Sequence, residues 1–138
     1  MFVTDLELRA TSRPDFWAVV SPLVWETPGQ RIIVPKGFLT DLASIPKILR
    51  NIFDPDGCSR QPAVMHDWNY RTHTMTREQC DQLLHDSLLA CGESAVAAWC
   101  YQKGVRLGGS LSYTDHPMGV QPFDFDNIDS FNAWRASK

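Results

Sequence analysis

Two segments with helical spacing, separated by only a few residues, constrain the fold of this chain more than any other feature. Residues 60–71 (RQPAVMHDWNYR) and 77–92 (REQCDQLLHDSLLACG) carry apolar residues three and four positions apart, as amphipathic helices do. The stretch between them, THTM followed by Thr76, is long enough only for a turn. The spacing therefore predicts two antiparallel helices that form a hairpin.

The second of these helices has clear start and stop signals. Thr76 can cap the helix, and Gln79, three residues later, can complete a capping box. Gly92 stands where a helix end favours a left-handed residue. A third helical segment, residues 93–109 (ESAVAAWCYQKGVRLGG), ends at a pair of glycines. The chain is thus expected to contain three helices.

The first third of the chain has the pattern of strands. FVTDLELRA alternates apolar and polar residues, FWAVVSPLVW is rich in aromatic and β-branched residues, and RIIVP ends at a proline. Prolines and the TPGQ stretch at 27–30 separate these runs. We therefore predict an α+β fold, with a small N-terminal antiparallel sheet followed by the three-helix part.

With 138 residues, the chain is long enough for a single domain with its own core, residues 1–138. Residues 31–110 carry the motifs described below, and residues 111–138 form a C-terminal extension. In the extension, Ile128, Phe131 and Trp134 recur at three-residue steps among aspartates. This pattern favours a short amphipathic segment that packs on the body over a partner-binding tail.

Composition excludes several classes of function. The formal net charge is −3 and the pI is near 5.7, so we expect no nucleic-acid partner. No apolar run is long enough for a transmembrane segment, and the first residues do not resemble a signal peptide, so synthesis in the cytoplasm is expected. The four cysteines include no C-x-x-C pair. We predict reduced thiols, with Cys80 and Cys91 as small core residues of a helix.

Polar residues at helical spacing form a candidate reactive cluster. His66 and Tyr70 share a face of the first helix, and Asp81 and His85 are four residues apart on the second. The antiparallel hairpin can bring these faces level. Asp81 is the expected partner of His66, because an aspartate that accepts one imidazole N–H leaves the other nitrogen to take a proton from water.

A loop at residues 34–46, VPKGFLTDLASIP, is the second candidate region. Gly37 permits a turn and a close backbone approach, and Asp41 supplies a carboxylate. Asp41 can serve as a backbone cap or as a metal ligand. Asp67, next to His66, is the further carboxylate available to a hard cation.

These motifs together resemble an uncharacterised family that is common in tailed bacteriophages and prophages. The resemblance covers about residues 31–110 and rests on four ordered motifs: Gly37, Phe38, Thr40, Asp41, Ala43, Ser44 and Pro46; His66, Asp67 and Tyr70; Arg77 and Asp81; Val105, Arg106 and Gly109. Cys80 departs from the family pattern, which tends to have alanine there. The resemblance implies a phage origin and leaves the chemistry open.

More distantly, the order of motifs is similar to that of the parvovirus capsid phospholipases and the secreted calcium-dependent phospholipases. That similarity implies a catalytic set of His66, Asp81 and Tyr70, with His66 as general base. It implies a Ca²⁺ site at Asp67 with backbone carbonyls around Gly37, and Asp41 is an extra carboxylate in the loop. The alternative is a mixed nitrogen and oxygen site of Asp41, His66, Asp67 and Asp81, which would suit Zn²⁺ or Mn²⁺ better.

Two functions follow as hypotheses. The first is a phage-encoded, metal-assisted hydrolase that acts on a lipid or another cell-envelope substrate. The second is a non-catalytic virion or tail-assembly protein, with phage structural proteins as partners and virion attachment as its location. For the enzyme we expect His66, Asp67, Asp81 and Asp41 to line one open cleft. Trp68, Trp99 and Tyr101 are expected in the core, whereas an exposed aromatic patch near His66 would favour a lipid substrate.

Overall fold

The structure is a computed structural model that describes residues 1–11, 16–40 and 58–108. The described part contains strands followed by helices, which confirms the predicted α+β fold. The strands are β1 (Leu8–Ala10), β2 (Trp17–Val19), β3 (Leu23–Thr27), β4 (Gln30–Val34) and β5 (Leu39–Thr40). Asp41, Ser44 and the extension at 111–138 lie outside the described residues.

The strands form two small antiparallel sheets, where one was expected. One sheet has the order β1-β2-β5, and the other is the hairpin β3-β4, in which Leu23 pairs with Val34 and Thr27 with Gln30. The division falls at Ser21 and Pro22, because a proline cannot donate to a strand ladder. The single run FWAVVSPLVW therefore supplies one strand to each sheet.

The glycine turn at residue 37 continues into a strand that the sequence pattern did not predict. Gly37 has a φ of 89°, and its N–H donates to the Val19 carbonyl at 2.8 Å. The Val19 N–H in turn donates to the Phe38 carbonyl at 2.9 Å. The chain thus returns along β2, and Leu39 and Thr40 become β5 beside the helices.

The helices are α1 (Arg60–Thr72), α2 (Arg77–Ala90) and α3 (Ala95–Gly108). The predicted capping box is confirmed, because the Thr76 side chain accepts from the Gln79 N–H and the Gln79 side chain accepts from the Thr76 N–H. Gly92 has a φ of 106°, the left-handed conformation expected after α2. The capping box and the glycine after α2 therefore predicted the start and the end of this helix correctly.

The core has two parts. In the larger part, Val64 and Met65 of α1 pack against strand residues, with Phe38 fully buried among them. The smaller part lies between α2 and α3 and consists of Leu84, Leu88, Ala98, Tyr101 and Val105. The first helix is consequently held on one side by the sheets and on another by α2.

A disulfide joins Cys58 and Cys91, with 5.9 Å between their Cα atoms. The prediction of reduced thiols is therefore wrong for this pair. An antiparallel hairpin brings the start of its first helix to the end of its second, which is how cysteines 33 residues apart meet. Cys80 is free and buried, as predicted, and Cys100 is also free.

The disulfide gives a prediction for the purified protein. Under denaturing, non-reducing conditions, thiol titration should count two thiols per chain, from Cys80 and Cys100. Reduction, or Cys91→Ser, should lower the free energy of unfolding by about 3 to 4 kcal/mol, because a closed loop of this length restricts the unfolded chain. Urea unfolding measures the change, with Cys100→Ser as the control. A count of four thiols would contradict the pairing.

Candidate functional site

The centre of the candidate site is a contact between α1 and α2. His66 Nε2 lies 2.8 Å from Asp81 Oδ1, and the two side chains are 1% and 0% exposed. An ionised carboxylate can only accept, so Nε2 carries the proton of this hydrogen bond. The predicted pairing of His66 with Asp81 is therefore present, and it assigns Nδ1 as the unprotonated nitrogen of the neutral ring.

Tyr70 binds the same carboxylate oxygen. Its hydroxyl donates to Asp81 Oδ1, and its ring centroid lies 4.0 Å from that of His66. Burial, followed by the hydrogen bond to Asp81, raises the pKa of the Tyr70 phenol far above its usual value, and Arg77 offsets this in part. Tyr70 thus stays a neutral donor at physiological pH, and it helps to fix the orientation of Asp81.

Arginines from α2 and α3 surround this pair. Arg106 Nε lies 3.8 Å from Asp81 Oδ2, and its side chain is 43% exposed. Arg77 donates to the main-chain carbonyl of Arg106. Among the described residues, Asp81 Oδ2 has no hydrogen-bond partner, so Arg106 is the positive charge that offsets its burial.

The second ring nitrogen of His66 is the most informative atom of the cluster. Nδ1 is buried and has no hydrogen-bond partner within the described ranges. Buried polar atoms in native proteins are nearly always paired, and the exceptions call for a functional or structural explanation. With Nε2 committed to Asp81, Nδ1 is the atom that can accept a proton from a water or a ligand.

Asp67 belongs to a separate clasp between α1 and β5. Its Oδ2 accepts from the Thr40 hydroxyl at 2.8 Å, and its Oδ1 lies 3.1 Å from Arg71 Nε. Arg71 also donates to the Leu39 carbonyl at 2.9 Å. The sequence patterns above did not single out Arg71 as a partner of Asp67, although its spacing of four residues from Asp67 is a detectable signal. Thr40 has no comparable signal, because its contact is long-range.

The described residues do not fit a cation site at Asp67. Both of its carboxylate oxygens are engaged, and one of them faces the positive charge of Arg71. Across the described ranges, no group of three or more histidine, cysteine or acidic residues could hold a metal ion. A metal ligand role for Asp67 would require its contacts with Arg71 and Thr40 to open.

The expected open cleft is not found among the described site residues. His66 is 1%, Asp67 6% and Asp81 0% exposed, so all three are buried. The reason is that Asp67 faces the sheet while His66 faces α2, and both surfaces of α1 are covered. A cavity of about 300 Å³ is lined by Leu6, Leu8, Trp17 and Arg60, beside the N-terminal sheet.

The other predicted positions separate from the cluster. Gly37 is buried at its turn, and its N–H serves the backbone of β2. His85 lies 3.2 Å from Asp86 at the edge of α2. Cys80, next to Asp81, is buried, and burial raises the pKa of its thiol to about 12. This thiol is therefore protonated and inert at neutral pH.

The sequence matches one known protein family. Residues 17–105, more than half of the chain, match DUF1353, a protein family of unknown function. The chain belongs to this family. The DUF1353 match runs from β2 into α3 and includes His66, Tyr70 and Asp81, which confirms the expected membership of an uncharacterised family. No curated protein and no solved structure matches the chain.

The clasp at Asp67 gives a stability prediction. Asp67→Asn should lower the free energy of unfolding by about 2 to 4 kcal/mol, because it leaves the largely buried guanidinium of Arg71 without its counter-charge. The matched control is Asp86→Asn on the exposed edge of α2, which should change stability by less than about 0.5 kcal/mol. Chemical denaturation measures both. Equal, small effects would contradict a structural clasp.

Proposed function

We propose that the protein is a phage-encoded hydrolase in which His66 activates water, with ester hydrolysis of a phospholipid type as the favoured reaction. One observation carries the proposal: Asp81 and Tyr70 hold the imidazole of His66 through Nε2, and Nδ1 is left unpartnered among the described residues. A histidine oriented by a carboxylate is the usual arrangement of a general base.

The reaction follows from these atoms. His66 Nδ1 takes a proton from water as the water oxygen attacks the ester carbonyl, and the imidazolium formed is stabilised by Asp81. When the tetrahedral intermediate collapses, the C–O bond to the alcohol breaks and the imidazolium returns its proton to the leaving oxygen. Tyr70 keeps the carboxylate in place throughout, since it donates to the same oxygen as His66.

Arg106 provides the nearest described connection between the buried pair and solvent. Its guanidinium contacts Asp81 Oδ2 at 3.8 Å, yet nearly half of the side chain is exposed. The His66 cluster is therefore only one side chain away from water on the α3 side.

The predicted Ca²⁺, or alternatively Zn²⁺ or Mn²⁺, stays a prediction that rests on the resemblance and on Asp41. Because Asp67 is engaged with Arg71 and Thr40, we derive no step of the reaction through a metal.

The motif resemblance also supports the phage origin. The Cys58–Cys91 disulfide favours action in an oxidising compartment, which suits a cell-envelope substrate or attachment to the virion after synthesis in the host cytoplasm. None of the helices in the described ranges has the length and hydropathy to cross a membrane.

The second candidate is a non-catalytic virion or tail-assembly protein, and the burial of the cluster favours it. His66 and Asp81 are almost fully inaccessible to solvent, as in a polar contact that only fixes the packing of two helices. In this case phage structural proteins are the partners.

Hydrolysis of phospholipid vesicles and of small chromogenic esters, with and without added Ca²⁺, tests the proposal. His66→Asn preserves the approximate size of the ring and should reduce the rate at least about 100-fold, because it removes the general base. The matched control is His85→Asn, which should retain the wild-type rate, since the ion pair of His85 is with the surface residue Asp86.

Circular dichroism must show that His66→Asn is folded for the comparison to count. If it is unfolded, the less disruptive Tyr70→Phe, which removes one hydrogen bond to Asp81, replaces it and should lower the rate without loss of fold. A wild-type protein that hydrolyses none of these esters, or a folded His66→Asn protein of full activity, would reject the catalytic proposal.

A further inference from the structure

Helix α3 is apolar on two opposite sides, which is unusual for a helix at a protein surface. Its inner side is accounted for, because Ala98, Tyr101 and Val105 pack against α2 and are buried. The other side carries large apolar residues as well. A surface helix normally has polar residues there.

The outer face of α3 consists of Val96, Trp99, Lys103 and Leu107, which follow one another at steps of three, four and four residues. Val96 is 72%, Trp99 54% and Leu107 88% exposed. The expectation that Trp99 belongs to the core is therefore wrong, whereas Tyr101 is buried as predicted. Tyr101, two positions after Trp99, packs against α2, so Trp99 projects from the opposite side of the helix.

Charge on this helix has one sign. Ala95–Gly108 contains two basic residues, Lys103 and Arg106, and no acidic residue. Lys103 lies in the middle of the outer face, with its ammonium group 5.8 Å from the centre of the Trp99 ring. Arg106 already forms ion pairs with two carboxylates, because its Nη1 lies 3.6 Å from Glu78 Oε1 and its Nε lies 3.8 Å from Asp81 Oδ2. Lys103 is thus the main cation available to a ligand at this face.

We propose that the outer face of α3 docks the protein onto an anionic lipid surface. An exposed tryptophan with aliphatic neighbours and a basic residue is the combination that favours the boundary between lipid headgroups and acyl chains. The inference deepens the proposed function, on which its connection to phospholipid hydrolysis rests. Arg106 extends from the same helix to Asp81, so docking would place the membrane near the His66 cluster.

A second copy of the chain fits this face less well than lipid does. Two outer faces in contact would bring Lys103 of each copy into the same interface, and the helix has no acidic residue to pair with it. Like charges in a buried contact are costly. Anionic headgroups offer the complementary charge, and the acyl region accepts the three apolar side chains.

Vesicle sedimentation with the full chain tests the proposal. Wild-type protein should bind vesicles of phosphatidylcholine with phosphatidylglycerol more tightly than vesicles of phosphatidylcholine alone, and added salt should weaken the binding. Trp99→Asp should reduce the partition coefficient at least about tenfold. The matched control, Ile33→Asp, alters a residue of β4 that is 45% exposed and should bind as the wild type does.

Charge is tested separately. Lys103→Ala should weaken binding to the anionic vesicles by about fivefold and should have little effect on the neutral ones, since one basic residue near an anionic membrane contributes about that factor. Because both altered side chains are exposed, each variant should melt within a few degrees of the wild type.

Several results would overturn the proposal. These are no binding of the wild type to either vesicle, an equal loss for Ile33→Asp, or concentration-dependent dimerisation that Trp99→Asp abolishes. The His66→Asn protein separates docking from catalysis. It should bind vesicles as the wild type does, so binding without hydrolysis in the wild type would reject the catalytic proposal alone.

Discussion

The buried hydrogen bond between His66 and Asp81 joins the two helices of the hairpin. A carboxylate that is 0% exposed is costly to bury, and here three groups from the two other helices share its charge: His66 and the Tyr70 hydroxyl of α1, and Arg106 of α3. The packing of the helices around Asp81 therefore fixes the orientation of the imidazole as well. A structural role and a catalytic role of His66 both require this hydrogen bond. The two roles differ in whether a water or a ligand can reach Nδ1.

Helix α1 has two polar contacts with different partners. On one stripe His66 faces α2, and on the neighbouring stripe Asp67 binds Arg71 and Thr40 and thereby fastens the helix to β5. Adjacent residues of the motif thus serve different surfaces of the same helix. The arrangement explains why His66 and Asp67 contact different partners although they are adjacent, and why His66 has a fixed position relative to both the sheet and the hairpin.

The sequence predicted the fold and the site correctly wherever the prediction rests on neighbouring residues. Helical spacing, the Thr76 capping box and a short turn are enough to place His66 opposite Asp81. Long-range packing is what could not be predicted. The burial of the cluster depends on what covers α1, and Thr40 reaches Asp67 only because Gly37 turns the chain back along β2. Similarly, periodicity cannot decide which of Trp99 and Tyr101 faces inward on a helix that is apolar on two opposite sides.

The tautomer of the His66 ring shows whether Asp81 holds the imidazole through Nε2 and leaves Nδ1 unprotonated. Long-range proton–nitrogen correlation spectra of protein labelled with ¹⁵N-histidine distinguish the two ring nitrogens, and the His66→Asn spectrum identifies the signals among those of four histidines. Once the ring is neutral, we expect the proton on Nε2, bound to Asp81, and an unprotonated Nδ1. A proton on Nδ1 would contradict the account, because Nε2 could then not donate to Asp81 and the unprotonated nitrogen would face the carboxylate instead of a water or a ligand.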